Sequence, residues 1–280
     1  MRSTRFGLMF CLILLAVPVS GQQTSSSATQ SQQGTSPTPA AQDPQAVNVV
    51  NQAIIAAGGA QALLTVTDYT AAGNITYHSA DNDIQGSVKI LGSGFSNLRI
   101  DASLPSGVLS ESFSKGKVMT GLNGTGRQIL AQSPMNPARF VLPFLQLRPL
   151  VNSPYYQLIY KGLVEINGHS AHDIQILRLL GGNTNPPELL REYNTIEFFI
   201  DSTTFQVVMM QDFLFSHGPY YSVRQIQYSD YSAVSGVLVP FTINELLDSH
   251  PNRLIQLNTI VFNSGLQESV FVIADSAPKN

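Results

Sequence analysis

Tryptophan is absent from this 280-residue chain, and cysteine occurs once, at Cys11. Cys11 lies inside an apolar run near the N-terminus and follows no small-residue cleavage motif. The rest of the chain therefore has no route to a disulfide, a thiolate nucleophile or a cysteine metal site, and a lipid-modified terminal cysteine is not expected. Charge is also scarce: Asp, Glu, Lys and Arg make up 12% of the residues, about half the usual share of roughly 25%. With 15 basic against 18 acidic residues, the clustered cations that nucleic-acid phosphates require are missing. Long hydrophobic stretches are missing too. The longest, Phe6 to Val17, runs to about a dozen residues, short of the roughly 20 that span a bilayer as a helix.

That run has the layout of an export signal. Arg2 and Arg5 form a basic start, and Val19-Ser20-Gly21 supplies the small residues a signal peptidase accepts before Gln22. Residues 1–21 are expected to be a cleaved signal peptide, which places the protein in the periplasm or otherwise outside the cytoplasm of a bacterial cell. Removing Arg2 and Arg5, with no acid leaving, turns a formal charge of −3 into −5. Residues 22–42 contain Ser, Thr, Gln, Ala and Pro without a large apolar side chain. Such a segment cannot bury enough surface to offset its ordering entropy, and a disordered polar tether is expected. A single folded domain follows over residues 43–275, with a flexible tail at 276–280.

The domain opens with a helix. Asp43-Pro44 combines a capping carboxylate with proline at the first helical position. Val47, Val50, Ile54 and Ala57 recur along one face, and Gly58-Gly59 supplies a left-handed stop. A second short turn runs from Ala60 to Leu64. The period then changes to two. Leu98, Ile100, Ala102 and Leu104 alternate with Arg99, Asp101 and Ser103. The same rhythm holds for Ile196, Phe198 and Ile200, for Arg224, Ile226 and Tyr228, and for Val237, Val239, Phe241 and Ile243. Lys115-Gly116, Asn167-Gly168 and Asp201-Ser202-Thr203-Thr204 read as turns, and Gly121 to Arg127 as a wide hairpin turn. The count predicts about ten or eleven strands in one large antiparallel sheet. Two segments break the pattern. Pro137 to Leu147 is apolar, with Phe140, Phe144 and Leu147 at helical spacing and Pro143 tolerated near a helix start. Gly181 to Arg191 reads as a loop with one helical turn near Glu188 to Glu192.

The helix ending in Gly-Gly, Tyr69 to Gly73, Gly86-Ser-Val-Lys-Ile90, Phe95 with Leu98-Arg99-Ile100, and the turn Ser114 to Lys117 come in that order. Phe199 to Phe205, Tyr228-Ser-Asp-Tyr231 and Gly236-Val-Leu-Val-Pro-Phe241 follow. This order resembles the periplasmic lipoprotein-carrier superfamily of LolA and LolB, over about residues 43–272. The resemblance implies a mainly β fold, a half-open antiparallel barrel with helices covering its open side. It also implies an apolar cavity that shields acyl chains of a lipid or lipoprotein. Leu98, Ile100, Phe198, Met209, Phe213 and Val239 are expected to line that cavity, with Phe140 and Phe144 contributed by a roof over Phe140–Leu147. A buried methylene contributes about 0.8 kcal/mol, so such a site needs no polar chemistry. The carrier family's polar latch, an arginine reaching to the lid helix, is not assigned to a residue here, and Arg99, in an expected strand, is read as facing solvent.

Catalytic signals are weak. No Gly-x-Ser-x-Gly elbow occurs. His169 and His172 precede Asp173, but residues three apart on a strand point to opposite faces, so no metal site is assigned. Glu165 and Asp173 straddle one hairpin and read as a solvated pair. No cofactor and no enzyme activity are expected. The expected partners are acyl chains, with transient contact at a membrane surface. The alternatives are an envelope sensor or interaction module that binds a protein partner without lipid, and an envelope hydrolase.

Overall fold

The computed structural model describes residues 42–275 except 95, 130–140, 152, 180–190, 192–193 and 216–220. Phe140 and the expected helical turn near Glu188 lie outside the described residues. Two helices come first, α1 (Pro44–Ala56) and α2 (Gly59–Thr65). Six strands follow: β1 (Asp68–Tyr77), β2 (Ile84–Ser93), β3 (Asn97–Leu104), β4 (Gly107–Ser114), β5 (Lys117–Leu122) and β6 (Thr125–Ile129). Helix α3 (Phe144–Leu150) precedes β7 (Tyr156–Ile166), β8 (His169–Arg178), β9 (Thr195–Asp201), β10 (Val207–Phe215), β11 (Tyr221–Val234), β12 (Val237–Leu247) and β13 (His250–Phe262). A 3-10 turn (Glu268–Phe271) and β14 (Ala274–Asp275) come last.

The fourteen strands among the described residues belong to one sheet, in the order β14-β6-β5-β4-β3-β2-β1-β13-β12-β11-β10-β9-β8-β7. Neighbours are antiparallel except β14, which runs parallel to β6. The strand order does not close on itself, so the sheet is a half-open barrel. The count exceeds the expected ten or eleven partly because Gly121 to Arg127 is not a wide turn. Asn123 and Gly124, at φ 53° and 89°, make a two-residue turn between β5 and β6, the geometry that matches strand twist. Gly121 pairs with Gly126 across it, and a Cβ on Gly121 would lie 2.8 Å from the Gly126 Cα.

Asp43 caps α1 by accepting from the backbone N–H groups of Gln45 and Ala46. The same segment closes the sheet's β7 edge. Asp43 N–H donates to the Leu158 carbonyl, Tyr160 N–H donates to Asp43 Oδ2 at 3.2 Å, and the Gln42 amide both donates to Tyr156 and accepts from Leu158. An open strand edge is a template for unwanted pairing, and here the chain's own lead-in covers it. Beyond Tyr160 a bulge at Gly162, φ 124°, breaks the edge's regularity.

The sheet is strongly curved, which one ion pair makes plain. Arg253 on β13 and Glu111 on β4 are separated by three intervening strands. Four steps of about 4.8 Å along a flat sheet would hold them about 19 Å apart, yet Arg253 Nη1 lies 3.0 Å from Glu111 Oε2. The two side chains meet across the concave face. The C-terminal segment packs on the convex face instead. Arg99, expected to face solvent, does point outward but is pinned there: it pairs with Asp101 at 2.9 Å and donates to the Val270 carbonyl.

Candidate functional site

Alternation along each strand sends one set of side chains into the concavity. Ile75, Ile90, Leu98, Ile100, Phe198, Val239, Ile243 and Ile255 share one buried cluster with Val49, Val50, Ala53 and Ile54 of α1. Helix α3 drops into the same cluster. Phe144, Leu147 and Leu150, at i, i+3 and i+6, are all buried, as are Val141 and Leu142 just before the helix. Pro143 stands at the N-cap position, where its missing N–H has no helical partner to lose. Among the described residues α3 makes no side-chain hydrogen bond or ion pair with the sheet, and its contacts there are apolar.

The sequence leads one to expect open volume beneath this roof; at six of the described residues there the packing is close. Leu147, Leu158, Ile174, Phe198, Val239 and Ile243 have 0% exposure, so not even a water-sized gap touches them. Among the described residues two small pockets flank α3. One of about 10 Å³ lies against Ala53, Phe144, Phe205 and Tyr231. The other, of about 50 Å³, is bounded by Leu63, Tyr69, Leu145 and Arg148.

Of the expected lining residues, Leu98, Ile100, Phe144, Phe198 and Val239 share the roofed cluster. Met209 and Phe213 do not point that way. Met209 clusters with Ala171 and Phe199 on the convex face, and Phe213 shares its parity, meeting Tyr221 edge-on at 5.0 Å. The reason is a register irregularity between Val207 and Met209. Val207 points inward, Val208 and Met209 both turn outward, and Met210 takes the inward place. A single bulge residue reverses the face of everything after it.

The other end of the concave face is polar, and it carries residues the sequence did not single out as a site. Arg253 Nη2 lies 3.1 Å from Glu245 Oε2, Asn252 donates to the other Glu245 oxygen, and Tyr77 hydrogen-bonds Arg253. One strand further, Arg224 makes a two-pronged contact with Asp212, Nε to Oδ1 at 2.8 Å and Nη2 to Oδ2 at 2.6 Å. Burial alone would raise the Glu245 carboxyl, but the nearby Arg253 and Arg224 guanidiniums hold it below the usual carboxylate range. The only sequence hint was the shared parity of Arg224, Ile226 and Tyr228.

His169 and His172 sit on opposite faces of β8 and do not converge. His172 points inward, bonded through Nδ1 to the Tyr160 hydroxyl at 3.0 Å and stacked on Phe205 at 5.9 Å; burial depresses its imidazolium. Phe205 holds φ 56°, unusual for a bulky residue. Among the described residues no three His, Cys, Asp or Glu side chains are grouped to hold a metal. Glu165 and Asp173 are not opposite one another either: Glu165 pairs with Ser170 and Asp173 with Gly162. Asp173 is buried on the convex face, with Oδ1 unpartnered. Burial, reinforced by Glu197, pushes its carboxyl up to about 6.

No family model matches the sequence, and no curated protein matches it. Among solved structures, a LolA superfamily protein from Nitrosomonas europaea superimposes with a TM-score of 0.51 at 11% identity, over 81% of this chain and 97% of that one. The fold is LolA-like. A DUF1329 family protein from Desulfovibrio piger agrees at a TM-score of 0.52 and 10% identity, over 80% and 96% of the two chains. At such identities the likeness is one of architecture.

Proposed function

We propose that this chain is an exported cell-envelope protein that takes acyl chains of a lipid or lipoprotein into the concave face beneath α3, as a carrier or chaperone. In this reading residues 1–21 are removed on export, 22–42 form a tether, 43–275 form the binding domain, and 276–280 form a flexible tail. The observation that carries it is the way α3 is held. Its three inward side chains occupy the greasy face without a single hydrogen bond or ion pair among the described residues. Burying Phe144, Leu147 and Leu150 stabilises the closed form by about 5–9 kcal/mol, at 1.5–3 kcal/mol for each side chain. A dozen methylenes of an acyl chain supply about 10 kcal/mol in the same place. Exchange of roof for ligand is close to balanced, which is what a reversible carrier needs. The interior acts as a receptor for hydrocarbon and carries no catalytic role in this proposal. Leu98, Ile100, Phe198 and Val239 would contact the chain.

The test is extraction of bound lipid from the purified exported protein, read by mass spectrometry, together with the Phe144→Asp variant. The expected outcome is recovered acyl lipid from the native protein, with Phe144→Asp lowering uptake more than it lowers stability. Equal losses would make Phe144 plain core. A protein that always emerges without lipid would favour the second reading, an envelope interaction module. The close packing around Leu147, Phe198 and Val239 is the observation on that side.

A further inference from the structure

Two side chains whose hydrogen-bond donors are unused among the described residues line the larger pocket beside α3. The Tyr69 ring lies across Gly92 on the neighbouring strand, so close that a Cβ there would fall 2.2 Å from the ring. Its hydroxyl is buried and has no partner, and Tyr69 is 4% exposed. Arg148, in the last turn of α3, lines the same pocket and forms none of the ion pairs among the described residues. The remaining polar members are already engaged. Asp68 accepts from Ser264 N–H at 2.6 Å and Gly265 N–H at 3.1 Å, and the Thr67 hydroxyl donates to Asn263 at 2.9 Å. Leu63, Val66 and Leu145 make the other walls apolar. The pocket is therefore lined by one cation and by a tyrosine whose buried O–H is unused, beside greasy surface and next to the helix that roofs the interior. Its complement is an anionic, acceptor-only group on an apolar body.

We propose that this pocket receives the anionic head, a carboxylate or phosphate, of an acyl lipid whose chain lies beneath α3. Arg148 supplies the counter-charge and the Tyr69 hydroxyl donates to one head-group oxygen. This assignment rests on the acyl-binding reading and adds the class of lipid to it. Because Arg148 rides on α3, the head group would engage the roof while the chain fills the space beneath.

The test is calorimetric titration of the full exported chain with laurate, dodecanol, dodecyl phosphate and inorganic phosphate. Laurate is expected to bind about tenfold tighter than dodecanol. Tyr69→Phe, which keeps the ring over Gly92, and Arg148→Gln should each weaken laurate and dodecyl phosphate several-fold and leave dodecanol unchanged, with Arg148→Lys restoring part of the loss. Thermal melts of each variant separate this from misfolding. Laurate binding unchanged in both variants, with dodecanol still bound, overturns the head-group site and leaves the carrier reading intact. Failure of every alkyl ligand to bind the native protein removes the carrier reading and this assignment together. Inorganic phosphate binding as tightly as dodecyl phosphate would make the pocket a small-anion site and overturn the lipid source.

Discussion

The two ends of the concave face are closed in opposite ways. At the start of β1, α3 seals the sheet with Phe144, Leu147 and Leu150 and without polar contacts among the described residues. At the far end, Arg253, Glu245, Glu111, Arg224 and Asp212 seal it with directed charge pairs. Apolar contact is non-directional, and one hydrocarbon can replace another at little net change. A buried ion pair has no such substitute, since removing one partner strands the other in a medium that cannot solvate it. In the proposed carrier the greasy end would be the one to open, and the charged end would hold the sheet's curvature.

The largest effect that should separate the two ends is Arg253→Met. It leaves Glu245 buried beside only the more distant Arg224, and a loss of about 3–5 kcal/mol in urea unfolding is expected. Glu245 adds a pH signature. Its folded pKa lies below the unfolded value, so its contribution is present above the ordinary Glu range and fades as pH falls through the folded value. An Arg253→Met protein as stable as the native one would dissolve the contrast. Next comes Phe144→Ala, with an expected loss of about 3 kcal/mol. Unlike the arginine variant, it should be largely rescued by a bound acyl ligand, as judged by the shift in melting temperature.

A smaller effect sharpens the role of pairing in the charged end. Asp173 is a buried carboxylate without a guanidinium, and its pKa is raised to about 6 rather than lowered. Between the unfolded value of 3.8 and that point the folded state binds the extra proton, so ionisation destabilises it as pH rises. Asp173→Asn should stabilise the protein by about 1 kcal/mol at pH 7, allowing for solvent screening, with the gain vanishing near pH 4. The smallest effect belongs to Lys115 and Glu268, a 2.9 Å pair on the surface. Lys115→Ala should change stability by less than about 0.5 kcal/mol, which would show that burial, and not pairing as such, gives the far end its weight.

Much of the fold was legible because its signals are local. Asp43-Pro44 capped a helix as expected, Gly58-Gly59 ended it with φ 121° and 84°, and Asn167-Gly168 turned a hairpin with both residues at positive φ. Leu98, Ile100, Phe198 and Val239 kept to the face their alternation assigned. Met209 and Phe213 left it, because a bulge costs no characteristic residue type and reverses parity silently. Glycine-rich Gly121 to Arg127 hid two short strands for a related reason: residues without side chains carry no alternation to read.

Periodicity, caps and turn residues depend on neighbours a few positions away, so the chain by itself determined a leading helix, a succession of antiparallel strands, and one oily face on each. Which distant groups would meet was settled only by the curl of the sheet. Arg253 and Glu111 are 142 positions apart in the sequence, and nothing local says that curvature will bring their charges together. The close packing of Leu147, Leu158 and Phe198 is of the same kind, because packing is a property of surfaces brought into contact by the whole fold.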